Sequence, residues 1–223
     1  MRVIKAQERG GSDASRLARF ASWLLQLGEG LLPSTSGNLI ELPAENSIPG
    51  GQRALIHWTF YGLHAHLGDA KWLAARAILA PRHTSVSEIN QAILEGIPKE
   101  EWTIRSADSL AIDETTPIPT EYLNAQADGG LPPHELQLKQ GVPVMLLRNL
   151  DPRQGLCNGT RLVVDSIIEN RLLRATIITG SKSKIGTQVL IPRIRLYPEA
   201  TAYPFSWHHT QVGHSNLHTA LCA

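Results

Sequence analysis

A short apolar run, a polar loop, a tight-turn dipeptide and a β-branched run follow one another in the middle of this chain, and they commit it to sheet. Gly141 to Val164 reads GVPVMLLRNLDPRQGLCNGTRLVV. Val144–Leu147 is wholly apolar, which suits a strand buried on both faces, although periodicity alone also admits a helical segment. Pro143 stands at its edge, where a missing N–H disturbs a ladder least. Asn158-Gly159 is a strong hairpin signal, because both central residues of a type I′ turn need φ > 0. Thr160 to Val164 then continues as a strand carrying Arg161, while Arg148, Asn149 and Asp151 occupy the exit of the first strand.

The flanks extend this pattern. Leu136 and Leu138 alternate with polar residues, as in a half-buried strand. Leu172–Ile178 and Val189–Ile194 are further strand candidates, separated by a Gly180–Gly186 loop with Lys182 and Lys184. Four or more short strands with tight turns predict a small barrel or rolled sheet, whose closure removes open edges.

Upstream, the period changes. Leu17, Phe20, Ala21 and Leu24 make an amphipathic stripe over residues 12–28, with Ser12 or Asp13 as cap and Gly28 in the left-handed position at its end. Leu39, Ile40 and Leu42 read as a short extended piece, and residues 52–60 and 69–76 as short helices. Ala77–Ala80 reads as a buried strand ended by Pro81. The helix that follows has a Ser85-x-x-Glu88 capping box and a buried stripe of Val86, Ile89 and Ile93. Trp102–Asp108 reads as a strand. Residues 117–133, with four prolines and two glycines, form a turn-rich crossing.

Charge divides along the same line. Residues 1–138 hold 11 Lys+Arg against 16 Asp+Glu, whereas residues 139–195 hold 10 against 3. A basic β-rich block after an acidic half fits a phosphate-facing surface; a solvated strand face with scattered arginines is the plainer alternative. That block has few aromatic rings, so weak base stacking and poor sequence preference are expected of it.

Several classes fall away. No apolar run reaches ~18 residues, so no transmembrane helix and no membrane partner is expected. MRVIKAQERGG lacks an apolar signal region, and two cysteines give neither a disulfide framework nor zinc spacing. A nuclear or cytoplasmic, reducing location is the expectation. Leu110–Glu114, LAIDE, imitates a Mg²⁺-holding strand, but no phosphate-binding G-x-x-x-x-G-K-[ST] loop occurs and no glycine is followed by lysine. Asp113 and Glu114 are therefore expected to be solvated. Four histidines and a cysteine after Trp207 have metal-binding chemistry without a frame to fix them, so no metal site is assigned.

The central stretch resembles the G-x-P-V-M-L-L-R-N-L-D … G-L-C-N-G-T-R signature of the Pif-family DNA helicases, in particular those of Helitron-type transposons. RAILAPRH at 76–83 with the helix after it is similar to the family's helicase motif IV, with His83 where relatives usually carry Asn. PTEYLN, GLPPHELQLKQG, and Met1-Arg2-Val3 followed by ARFASWLLQLGEG also match. The resemblance runs from Arg2 to about Trp207.

It implies an α/β fold. Residues 1–116 would be a partial RecA-like region of short helices and strands. Residues 117–203 would be a Pif-type 2B-like, SH3-like β-rich region. Residues 204–223 would be an unmatched, disordered tail, read as a disrupted or alternatively read gene end. Intact relatives are ATP- and Mg²⁺-dependent motors that move 5′ to 3′ on single-stranded DNA. By resemblance, Arg2 is a nucleotide-binding position, with a guanidinium fork suited to phosphate. Arg82, Arg148, Asn149 and Arg161 are the nucleic-acid-binding candidates, with a cap or loop-anchor role as the alternative for Arg82. No catalytic residue, ATP or Mg²⁺ is assigned to this chain alone. The implied function is a helicase fragment, working in DNA repair, recombination or transposition and inactive by itself. The alternative is a non-catalytic module that binds single-stranded nucleic acid, an intact helicase or a missing N-terminal half.

Overall fold

Strands that cover an apolar layer bury alternate residues, as at 172–177 and 188–192, and bury consecutive ones where both faces are covered, as at 142–144 and 162–164. The computed structural model describes residues 12–35, 39–106, 109–110, 134–169, 171–196, 205–210 and 212–214. Among them, β6 (Pro143–Leu146), β7 (Arg161–Ile168), β8 (Leu172–Ile177) and β9 (Gln188–Leu196) form an antiparallel meander. Leu173, Ala175 and Ile177 of β8 are fully buried, and half-buried residues alternate with them. Val144 lies opposite Leu162 and Met145 opposite Arg161, so the two runs of the central stretch share one sheet.

Residues 205–214 close that sheet upon itself. β10 (Phe205–Thr210) pairs with β9, and β11 (Val212–His214) pairs with β6, with only residue 211 between them. One segment thus caps both outer edges of a four-stranded meander, and the sheet must curl for it to do so. The outer edge of β10 takes a short β4 (Ser109–Leu110), completing the order β11-β6-β7-β8-β9-β10-β4. The disordered tail expected from sequence is corrected at 205–210 and 212–214: two open edges would leave rows of unpaired N–H and C=O groups, and pairing them orders the segment. The remaining tail residues lie outside the described ones.

The Asn158-Gly159 expectation is corrected in kind. Gly159 has φ 83°, but Asn158 does not have positive φ, so the turn is not type I′. The connection runs over residues 147–160 and includes a 3-10 turn at Pro152–Gln154, so Asn158-Gly159 need not match the strand twist of a two-residue hairpin. Thr160 N–H donates to Cys157 O at 3.0 Å and Gly159 N–H to Leu146 O at 2.8 Å, which ties the turn to the end of β6.

The helices pack beneath. α2 (Gly51–Thr59), α3 (Ala70–Ala74) and α4 (His83–Glu95) precede β3 (Glu101–Arg105), which pairs with β5 (Glu135–Lys139). Ile89, Ile93 and Leu94 of α4 join Ile104, Leu136 and Leu138 in the same core as the meander. Asp69 caps α3, its Oδ1 accepting from the N–H groups of Lys71 and Trp72. The Trp72 amide and His66 hold the Asp69 carboxyl below its ordinary value.

Two local expectations fail here. α4 starts at His83 with Arg82 as N-cap and no side-chain cap bond, so Ser85 lies inside the first turn and the capping box does not form. Ala77–Ala80 is not in a sheet. Ile78 and Ala80 are buried while Leu79 is 64% exposed, the alternation of an extended segment with no neighbouring strand among the described residues.

The chain divides into two compact units, residues 1–49 and 50–223. The first holds α1 (Ser12–Gly28) and the two-residue pair β1 (Ser34–Thr35) and β2 (Leu39–Ile40). Gly30, not Gly28, takes the left-handed position after α1. Its N–H donates to Leu27 O and that of Leu31 to Gln26 O, the bonding of a Schellman end. Within this unit Leu17, Phe20 and Leu24 of the amphipathic stripe are exposed. The 116/117 boundary expected from sequence falls outside the described residues.

Candidate nucleic-acid interface

A meander puts alternate connections at the same end of its sheet, so the β6–β7 and β8–β9 loops emerge together. They also touch: the Lys184 side chain lies against Gly155, where a Cβ would stand 3.3 Å from Lys184 Cγ. Arg148, Arg153 and Lys182 are exposed in these loops and Lys184 is half-buried. Among described residues the loops hold one carboxylate, Asp151, and its Oδ1 already accepts from the N–H groups of Arg153 and Gln154. The result is a compact cationic rim with its acid engaged internally, which favours a polyanion.

The sequence-selected residues have different positions within this frame. Arg148 lies exposed at the exit of β6. Asn149 is a loop organiser: its Oδ1 accepts from Asn158 N–H at 2.8 Å and so fixes the second half of the same loop. Arg82 is exposed at the N-cap of α4, away from these loops in sequence. Neither the Arg82 nor the Arg148 side chain has a hydrogen-bond partner or counter-ion among the described residues, and Arg82 O accepts from Val86 N–H at 3.0 Å. Arg2, Asp113 and Glu114 lie outside the described residues.

Arg161 faces inward. Its Nη1 donates to Ala74 O at 3.1 Å, and its Nη2 to Leu73 O and Arg76 O, each at 3.0 Å. Leu73 and Ala74 close α3 and Arg76 follows it; carbonyls at a helix end carry negative partial charge, and of these Leu73 O also accepts from Arg76 N–H at 3.2 Å. Burial draws the guanidinium below the ordinary arginine value. Arg161 therefore couples β7 to α3, and a phosphate could engage its fork only by displacing those carbonyls.

Two side chains that tie elements together escaped the sequence. Lys139, 7% exposed, donates from Nζ to Leu94 O and Ile97 O at 2.9 Å each, and so caps the end of α4 from β5. In LQLKQG it reads as an ordinary surface lysine. Asp165 sits at a β-bulge in β7, and its Oδ2 accepts from Thr176 Oγ1 and Gln188 Nε2, linking three strands. No sequence signal marks a bulge of this kind. Among described residues, no cluster of three or more His, Cys, Asp or Glu is placed to hold a metal ion.

Residues 121–167 match the family model "DNA helicase Pif1, 2B domain", which spans β5, β6 and most of β7. Among solved structures, Pif1 helicase from Candida albicans is 19% identical with a TM-score of 0.46, covering 62% of this chain and 34% of that one. Unliganded Pif1 from Bacteroides sp is 16% identical with a TM-score of 0.41, covering 63% and 40%. Bacteroides Pif1 bound to ssDNA is 14% identical with a TM-score of 0.42, covering 64% and 30%. The chain thus spans about a third of the length of these helicases. No curated protein matches the sequence. The chain is similar to part of a Pif-family DNA helicase, and its central strands lie in the stretch that carries the resemblance to that family's 2B domain.

Proposed function

We propose that this chain is the non-catalytic, strand-holding part of a Pif-like 5′-to-3′ DNA helicase. In this reading the curled sheet is an SH3-like 2B region, and α2 to α4 with β3 belong to a partial RecA-like region. The single observation that supports it most is the cationic rim of the β6–β7 and β8–β9 loops, beside a 2B-domain match. The family's ATP and Mg²⁺ would be held elsewhere: phosphoryl transfer needs a phosphate-binding lysine, a metal-holding acid and neutralising arginines acting together, and this sequence offers Arg2 alone. The reading places the protein in the nucleus or cytoplasm, in DNA repair, recombination or transposition.

Arg148 and Arg82 would contact phosphates directly in this scheme, with Asn149 shaping the loop and Arg161 supporting it from below. Binding of a fluorescent 20-mer oligothymidylate, measured from low to moderate salt, tests it. Arg148→Glu is expected to weaken affinity several-fold and to flatten the log–log salt slope by about 0.7, the share of one single-strand phosphate contact. An unchanged slope would remove Arg148 from the site. The purified chain is expected to show no ATP turnover with or without single-stranded DNA; stimulated turnover that copurifies with it would overturn the non-catalytic assignment.

A second reading is favoured by the apolar surface left open, namely the α1 stripe and Leu79. These faces suit docking onto a helicase N-terminal half or an intact helicase. Nuclease-resistant capture of such a half by the chain would support it, and capture lost on nuclease treatment would refute it.

A further inference from the structure

The cationic rim lacks rings. No Phe, Trp or Tyr occurs between residues 139 and 196, so that block has nothing on which a base can stack. Three rings, Trp58, Phe60 and Tyr61, lie on α2 and just after it. Leu55, Ile56, Thr59 and Phe60 turn one side of this helix toward the core. On the opposite side, Arg53, His57 and Tyr61 follow one another at i, i+4 and i+8, with Trp58 beside them. Trp58 is 70% and Tyr61 73% exposed, and the His57 and Tyr61 rings meet edge to face at 5.3 Å. Trp72, by contrast, is already clasped between His66, stacked at 4.6 Å, and the Arg76 guanidinium at 4.1 Å.

Charge selects the occupant. Residues 46–68 contain no Asp or Glu, although the half of the chain around them is acidic. Exposed rings beside arginine and histidine, on a helix that carries no carboxylate of its own, fit a polyanion that carries aromatic bases. We infer that the exposed face of α2 is a base-stacking platform for single-stranded nucleic acid, with Trp58 and Tyr61 as the rings and Arg53 as the phosphate contact. This rests on the nucleic-acid reading given above and supplies the stacking that the rim cannot.

The test compares 20-mer oligothymidylate with an abasic strand of equal length, using the full chain at fixed salt. Trp58→Ala is expected to weaken oligothymidylate binding about tenfold without changing the salt slope, because stacking releases no counter-ions. Trp58→Phe, which keeps a ring, is expected to restore most of the affinity, and Trp58→Ala to have no effect on the abasic strand. Unchanged oligothymidylate affinity in Trp58→Ala overturns the platform. If that variant instead loses capture of a helicase N-terminal half, the face belongs to protein docking and the platform is again refuted. Should the wild-type chain bind neither strand, the underlying nucleic-acid reading fails; should it bind both equally, only the platform does.

Discussion

Arg161→Met is expected to lower unfolding stability by about 3 kcal/mol, the cost of removing several charge-assisted hydrogen bonds from half-buried carbonyls. For a domain of this size that is a fall in Tm of roughly 6–12 °C. The reasoning begins at α3, a helix of five residues, too short to be stable by propensity. Asp69 satisfies its N-terminal amides, and Arg161 satisfies Leu73 O, Ala74 O and Arg76 O at the other end. Met keeps the length and the apolar stem and removes only the fork. Arg161→Lys keeps the charge but cannot reach three carbonyls in one plane, so an intermediate loss is expected. Thermal and urea unfolding of the three proteins measure this. A Met variant as stable as wild type would show that the carbonyls find other partners at no cost.

The same series separates two roles for one arginine. If Arg161 contacted phosphate, Arg161→Lys would weaken oligonucleotide binding at a temperature where it is fully folded. The inward geometry predicts unaltered binding there, whereas Arg148→Glu weakens binding in a fold of normal stability. Sequence alone could not divide these residues. Both are arginines flanking strands in one basic block, and the direction of a side chain at the first position of β7 depends on the register with β6. That register, Met145 opposite Arg161, is set by a connection of fourteen residues. Where hydrophobic alternation was local, the reading held: β5, β8, β9 and α4 lie where their patterns put them. It failed where a distant partner decides. Ala77–Ala80 has the composition of a buried strand but no strand beside it among the described residues. The tail failed in the opposite sense: 205–210 and 212–214 looked structureless because their order comes from the open edges of β9 and β6, whose paired residues lie 11 to 70 positions away. The rim was legible as charge, but its convergence was not, because the meander pairing and the packing of Lys184 over Gly155 bring the two loops together only in the folded sheet.

Gly141→Ala is expected to cost about 2–4 kcal/mol, whereas Gly159→Ala should cost about 1 kcal/mol, although both glycines have the same backbone conformation. Their φ values are 85° and 83°, so each alanine meets the same left-handed penalty. The surroundings differ. A Cβ on Gly159 finds nothing within 4 Å. On Gly141 it would lie 3.1 Å from Gly68 N, 3.1 Å from Leu67 Cβ and 3.2 Å from Leu67 C, two of the three being backbone atoms that cannot rotate away. At this point the segment before α3 meets the turn between β5 and β6, through Gly68 N–H donating to Gly141 O at 3.1 Å. Gly141 N–H also donates to Val164 O at 2.8 Å, so any retreat of the turn pulls on β7. A methyl group at Gly141 must therefore either push the α3 segment off the sheet or loosen the ladder between the turn and β7. Urea unfolding of the two variants measures the difference directly, with the common φ penalty cancelling between them. Equal losses would mean that the close approach at Gly141 relaxes freely, and that the helical segment is not held to the sheet through this turn.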